Sequence, residues 1–164
     1  MGLEKFFRSA KNCAVDGVIV ADLPVEEAED YKKVAESYGI NTIFLAAPST
    51  SMQRLRKIVA CTSGFLYLVA HYGVTGEKDA IEESTVQLIK KVLPYTRGRV
   101  PLAVGFGVSK PAHARCIIEN GADGVIVGSA FVNIIYKNQN NIKKMLEEIE
   151  ETARKLKEAT KQRS

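Results

Sequence analysis

Two kinds of apolar pattern alternate along the chain. In the first, short runs are apolar at nearly every position: Val18-Ile19-Val20, Thr42-Ile43-Phe44-Leu45-Ala46-Ala47, Phe65-Leu66-Tyr67-Leu68-Val69-Ala70, Val100-Pro101-Leu102-Ala103-Val104-Gly105 and Val125-Ile126-Val127. Such runs predict strands buried on both faces, as in a parallel sheet covered by helices; a sheet with one wet face would alternate. In the second, apolar residues recur every three or four positions, which predicts amphipathic helices. Ala28, Tyr31, Val34, Ala35 and Tyr38 share one face, with Pro24 near the start and Gly39 just past the end. Met52, Leu55, Ile58 and Val59 form the next inward face, and Val86, Ile89 and Leu93 the third. Ser109 is placed to cap a helix that starts at Pro111, and Gly121 stops it after Ile117 and Ile118. A short helix from Ser129 to about Tyr136 precedes a last one striped by Ile142, Met145, Leu146, Ile149, Ala153 and Leu156. The tail from Thr160 is expected to fray.

One strand repeats another: Asp16-Gly17-Val18-Ile19-Val20 recurs as Asp123-Gly124-Val125-Ile126-Val127. The order is thus a helix followed by about five strand–helix units. That order implies right-handed crossovers and an α/β fold, either an open doubly wound sheet or a (βα) barrel. No linker-like stretch interrupts it, so residues 1–164 are expected to form one domain.

Composition narrows the functional classes. The 164 residues are 46% hydrophobic and 26% charged, which suits an ordinary globular protein. No apolar run reaches the roughly 18 residues of a membrane span, and the start of the chain has no apolar h-region. The net charge of +4 is interleaved rather than clustered, so nucleic acid is not an expected partner. Cys13, Cys61 and Cys116 make an odd count without CxxC spacing. Neither a metal site nor a disulfide framework is expected; buried apolar thiols in a reducing cytoplasm are.

In both candidate folds function gathers at the carboxyl ends of the strands. The segments there are Ala21-Asp22-Leu23-Pro24, Pro48-Ser49-Thr50, the stretch His71 to Lys78, Gly105-Phe106-Gly107-Val108-Ser109 and Gly128-Ser129-Ala130. Gly105 and Gly107 let backbone amides approach a ligand, and Gly128-Ser129 opens a helix whose N-terminus offers free donors and a positive dipole end. Together they suit an anion, and a phosphate in particular. The GxGxxG spacing of a dinucleotide site is absent, because Lys110 stands where its third glycine would be. Gly73-Val74-Thr75-Gly76 has the glycines of a hinged lid, and Phe106 is free to meet an aromatic ligand. Asp22 is the one carboxylate directly at a strand end, thin provision for acid–base chemistry that needs two placed groups. His71 reads as a polar residue near a strand end, and His113 as a surface residue on a helix.

Four motifs, Asp22-Leu23-Pro24-Val25-Glu26-Glu27, Gly73-Val74-Thr75-Gly76, Gly105-Phe106-Gly107-Val108-Ser109 and Gly128-Ser129-Ala130, occur in the order and spacing that resemble the tryptophan synthase alpha chain family. The resemblance runs from about Gly2 to the end. It implies a TIM-barrel-like parallel (βα) barrel, present here as about five units. The implied reaction is a retro-aldol cleavage of indole-3-glycerol phosphate to indole and glyceraldehyde 3-phosphate, in tryptophan biosynthesis. It assigns Gly76, Gly107, Gly128 and Ser129 to the phosphate, Tyr67 and Phe106 to the indole pocket, Thr75 to anchoring the lid and Asp22 to ordering it. It implies no cofactor on this chain. Pyridoxal phosphate belongs to a β subunit, which is the expected partner. The family's first three strands, and the Glu and Asp that move its protons, have no counterpart in these residues. No catalytic residue is therefore assigned, and this stretch alone is expected to turn over little or no substrate. The strands at Val18 and Val125 would then be open edges suited to a homo-oligomer or a complementing fragment. Two readings compete with this one: another phosphate-binding barrel enzyme, such as a phosphosugar isomerase or epimerase, and a non-catalytic half-barrel.

Overall fold

The computed structural model describes residues 1–70, 83–105 and 107–161. The first helix, α1 (Leu3–Asn12), buries Phe7 completely and leads into β1 (Gly17–Ile19). A 3-10 turn over Val25–Glu27 follows Pro24, and α2 (Glu29–Ser37) ends just before Gly39 at φ +65°. The apolar run from residue 41 divides into β2 (Asn41–Ile43) and β3 (Leu45–Ala46). Next come α3 (Met52–Cys61), β4 (Leu66–Val69), α4 (Glu83–Thr96), β5 (Leu102–Gly105), α5 (Pro111–Glu119) and β6 (Gly124–Ile126). The chain finishes with α6 (Ser129–Lys137) and α7 (Ile142–Ala159).

Every strand pair is parallel. β1 pairs with β2, and β3, β4, β5 and β6 pair in that order. The run over residues 41–46 serves both sets, its first half turned to β1 and its second to β4. Phe44, at the junction, still accepts a hydrogen bond at its carbonyl from the Tyr67 amide (3.0 Å). A single strand was expected here; the run instead divides at Phe44, pairing with β1 over Asn41–Ile43 and with β4 over Leu45–Ala46. Consecutive units therefore lie side by side, the topology of a (βα) barrel rather than of a sheet whose order reverses.

Register fixes the two faces, because residues paired across parallel strands point the same way. Phe44, Ala46, Leu68 and Val104 lie under the helices and are all buried to 4% exposure or less. They join Phe7, Tyr31, Leu55, Ile58, Ile89 and Ile117 in the main core. Tyr31 is wedged between Phe7 and Phe44 with ring centroids 5.3 and 6.2 Å away, and its hydroxyl donates to the Val18 carbonyl (3.2 Å). The opposite, concave face carries Ile19, Ile43, Leu45, Tyr67, Val69, Ala103, Gly105 and Ile126.

Three local expectations are corrected. Ser109 does not cap α5: Lys110 is the cap residue, Pro111 opens the helix, and the Ser109 amide donates to His113 Nδ1 (3.4 Å). His113 is buried, not on the surface, because that contact folds its ring back under the turn. Cys13 is exposed, since it falls one residue past the end of α1 where the chain turns away. Along the stripe of α7, Leu156 is buried and Met145 and Ile149 are half-buried, while Ile142 and Leu146 are exposed at 66% and 57%.

Candidate functional site

The last two strands to pair deliver the glycine segments to one end of the sheet. Gly105 and Ile126 stand opposite each other in the β5–β6 register. Gly107 lies two residues beyond Gly105, and Gly128 two residues beyond Ile126. Gly107 has φ +78°, a left-handed backbone that any side chain would strain. Val108, directly after it, is 2% exposed and pins the loop to the core.

Gly128 is the cap residue of α6 and brings no side-chain acceptor to the helix end. The amides of Phe131 and Val132 turn back to the Gly128 carbonyl (3.0 and 3.2 Å). The amides of Ser129 and Ala130 are thus the ones that point off the helix end. The first turn holds no acidic residue, so the positive end of the dipole is not neutralised from within, in contrast to α2 with Glu29 and Asp30. A Cβ at Gly128 would meet nothing within 4 Å. The space beside it is open, as an anion held by backbone donors requires.

Tyr67 projects from β4 onto the concave face. Its ring lies over the position where Gly105 has no side chain: a Cβ there would stand 2.8 Å from the ring and 2.9 Å from the hydroxyl. Gly105 thus makes room for an aromatic ring on the inner wall, a role that chain punctuation alone does not disclose. Leu45, Val69 and Ile126 complete the apolar wall around it, and reading every second residue from Tyr67 and Gly105 finds them.

Asp22 follows β1 and lines a cavity of about 260 Å³ with Val20, Phe44, Ser49, Thr50 and Arg54. Arg54 is paired there with Glu26 at 3.2 Å, which ties α3 to the 3-10 turn. Thr50 Oγ1 accepts from the Ala47 amide (2.9 Å) and fixes the loop after β3. Asp22, Tyr67, Gly107, Gly128 and Ser129 all lie at or near the strand end that carries function in such folds. Thr75, Gly76 and Phe106 lie outside the described residues, as does His71. Among the described residues no group of three or more His, Cys, Asp or Glu is placed to hold a metal ion, and no helix is long and apolar enough to cross a membrane.

Comparison with known proteins agrees with this architecture. The family description "Tryptophan synthase alpha chain" matches residues 1–161. The tryptophan synthase alpha chain of Methanothermobacter thermautotrophicus is 46% identical over 159 residues, covering 97% of this chain and 58% of that protein. That of Pyrococcus abyssi is 43% identical over 148 residues, covering 90% and 59%. Among solved structures, a chain from a study of the tryptophan synthase a2b2 complex of Pyrococcus furiosus superposes with a TM-score of 0.85 at 39% identity, covering 94% of this chain and 60% of that one. The chain therefore spans about three fifths of the length of the relatives it matches.

Proposed function

Since the chain belongs to the tryptophan synthase alpha chain family, we propose that it forms the phosphate-holding and indole-lining part of a lyase acting on indole-3-glycerol phosphate. The observation that supports this reading most is the pairing of β5 with β6. It sets Gly107 and the uncapped start of α6 two residues beyond one register pair, beside a concave wall that carries Tyr67.

The division of labour follows from the chemistry of the ligand. A phosphate dianion is held by backbone amides and a helix dipole without any titrating group, so Gly107, Gly128 and Ser129 serve it, with Gly76 from the segment after β4. An indole is a flat apolar body, met by the ring of Tyr67 and the wall of Leu45, Val69 and Ile126, and Phe106 is assigned to the same pocket by the family resemblance. Thr75 anchors the covering loop and Asp22 orders it. Cleavage of the carbon–carbon bond needs one group to protonate the ring carbon and another to take the hydroxyl proton. Asp22 cannot fill both roles, and among the described residues no second carboxylate follows a strand end. We therefore assign binding and orientation to this stretch, with catalysis arising only where the missing carboxylates are supplied. No cofactor is assigned to it. A β subunit carrying pyridoxal phosphate is the partner that would receive indole. A cytoplasmic location and self-association through the open strand edges belong to the same reading.

The family match favours this proposal over another phosphate-binding barrel enzyme or an inert half-barrel. Isothermal titration with indole propanol phosphate, with glyceraldehyde 3-phosphate beside it, is the test. The indole analogue should bind more tightly, and Gly128→Val should abolish that binding while circular dichroism stays unchanged. Equal affinity for the two ligands, or binding untouched by the substitution, would overturn the assignment. In a steady-state assay the 164-residue chain should show no turnover of indole-3-glycerol phosphate above background.

A further inference from the structure

Charge is distributed unevenly over the outer helices. On α2 and α7 cations alternate with carboxylates, as the sequence suggests: Lys32–Glu36, Lys33–Glu29, Lys144–Glu148, Arg154–Glu158 and Lys155–Glu151 are all pairs four residues apart. The middle of the chain departs from that pattern. From Ser51 to Ala70 there are three Lys or Arg, and from Ser84 to Ile118 six, with no Asp or Glu in either stretch. Arg54 is tied to Glu26. Arg56 and Lys57 on α3, Lys90 and Lys91 on α4, and Arg97 and Arg99 just after it are exposed, and none is in an ion pair among the described residues. The fold gathers them, because α3 packs beside α4. The Arg56 guanidinium lies 5.7 Å from the centroid of the Tyr95 ring, and Lys91 stands one turn before Tyr95 on the same helix face. Arg97 and Arg99 line a hollow of about 380 Å³ with Leu93, Val100 and Pro101. Asp123 is the carboxylate that lines the same hollow, and its Oδ2 accepts from the Leu102 amide (2.9 Å).

We propose that this wall, the α3–α4 seam with the turn after α4, binds single-stranded RNA through its phosphates. Cations crowded without counter-charges repel one another and give the fold nothing. Arg97 and Arg99 gain from the carboxyl end of the α4 dipole, but Arg56, Lys57, Lys90 and Lys91 do not stand there. A bound polyanion relieves that repulsion. The kind of polyanion follows from what surrounds the cations. From β2 through α5 no large hydrophobic is clearly exposed among the described residues. A protein partner would need an apolar anchor at the centre of its interface, and a membrane surface would need an apolar helix face to insert. A phosphodiester chain needs neither: cations carry its affinity, and guanidinium planes stack on its bases. The helices cover the outer side of a curved sheet, so their wall is convex. A rigid duplex would touch it along one line, whereas a single strand can follow it. The hollow beside Arg97 and Arg99, with Leu93, Val100 and Pro101 in its lining, has room for a base. That hollow lies before β5, at the strand ends opposite Gly107 and Gly128, so this inference stands apart from the proposed lyase reaction.

The test follows a fluorescein-labelled RNA of about 20 unpaired nucleotides by anisotropy as the chain is added, over a range of salt concentrations. With about four of these cations on phosphates at once, log Kd should rise with log salt at a slope of about 3, at roughly 0.7 per phosphate. Arg56→Gln with Lys91→Gln should halve that slope and weaken binding about tenfold at about 0.15 M salt. Should Arg56→Gln disturb the seam with Tyr95, Arg97→Gln with Arg99→Gln, in an exposed turn, is expected to give the same loss. Lys144→Gln with Lys155→Gln removes equal charge from α7 and should leave affinity and slope unchanged. Circular dichroism should be the same for every variant. Indole propanol phosphate should not displace the RNA, because it is expected at the opposite strand ends; a failure of the lyase reading therefore leaves this result untouched. No binding at about 0.15 M salt would overturn the proposal. So would equal losses from the α3–α4 and α7 variants, or duplex DNA held as tightly as the single strand. Tighter capture by phosphatidylglycerol vesicles, or displacement by indole propanol phosphate, would overturn it as well.

Discussion

Replacing Gly105 by Ala adds one methyl group to the concave wall at its tightest point. The new Cβ would stand 2.8 Å from Ile126 Cβ, 2.8 Å from the Tyr67 ring and 2.9 Å from its hydroxyl. The Tyr67 ring can swing aside, because it is the far end of a flexible side chain. Ile126 Cβ cannot, because it is rooted in the neighbouring strand, so β5 and β6 must separate by several tenths of an ångström. Overpacking of this kind costs about 1–3 kcal/mol. The entropy gained by removing a strand glycine returns roughly 0.5–1 kcal/mol. Taken at the middle of both ranges the net is a loss of about 1 kcal/mol, which lowers the melting temperature by roughly 2–4 °C in a chain of this size. Gly124 is the internal control. It lies on the same face two pairs earlier, and a Cβ there meets only Ala103 Cβ, at 3.8 Å. Gly124→Ala should be neutral or should stabilise by up to about 1 kcal/mol. Thermal unfolding by circular dichroism, with both variants at one fixed protein concentration, reads the difference. Equal shifts for the two, or a Gly105→Ala protein as stable as the parent, would refute the claim that Gly105 is there to seat Tyr67.

Asn141 Oδ1 accepts from the Lys144 amide at the start of α7 (3.0 Å), so Asn141→Ala should cost about 1 kcal/mol and lower the melting temperature by roughly 2–4 °C. Glu29 and Glu151 are each held below the ordinary value of 4.5, first by the hydrogen bond and then by the charge of Lys33 and Lys155 four residues on, at 2.7 Å in both pairs. A lowered carboxylate stabilises the fold above its unfolded value, and that contribution fades as pH falls through the folded one. Helicity should therefore decline as pH drops below about 4.5, with a shallower decline for a Glu29→Gln, Glu151→Gln double variant; identical acid profiles would exclude these pairs as a source. Burial, then the nearby Glu119 charge, pushes the Cys116 thiol up, while Cys13 is exposed. A disulfide reagent at pH 8 should accordingly modify Cys13 well before Cys116, as mass spectrometry of timed digests would show.

The parallel sheet was legible because every strand run is apolar on both faces and each is followed by a helix-period stretch. The glycine segments of the candidate site were legible because glycine announces backbone need: Gly107 has φ +78° and Gly128 starts α6. Two things were not legible, and for different reasons. Tyr67 faces the concave side, but a run apolar at every position hides which alternate set turns inward; only the register with Ala103 and Gly105 decides it. The stripe on α7 was legible as a stripe, but periodicity does not say how deeply each position is covered: Leu156 is buried, whereas Ile142 and Leu146 are exposed. Among the described residues β4 and β5 pair on both sides, the run over β2 and β3 meets β1 with its first half and β4 with its second, and β1 and β6 pair on one side. In a barrel the strand ends that hold phosphate and the strand ends that move protons need not be neighbours in sequence. Under the proposed function, therefore, binding of the phosphate can reside in these strand ends while proton transfer resides in others.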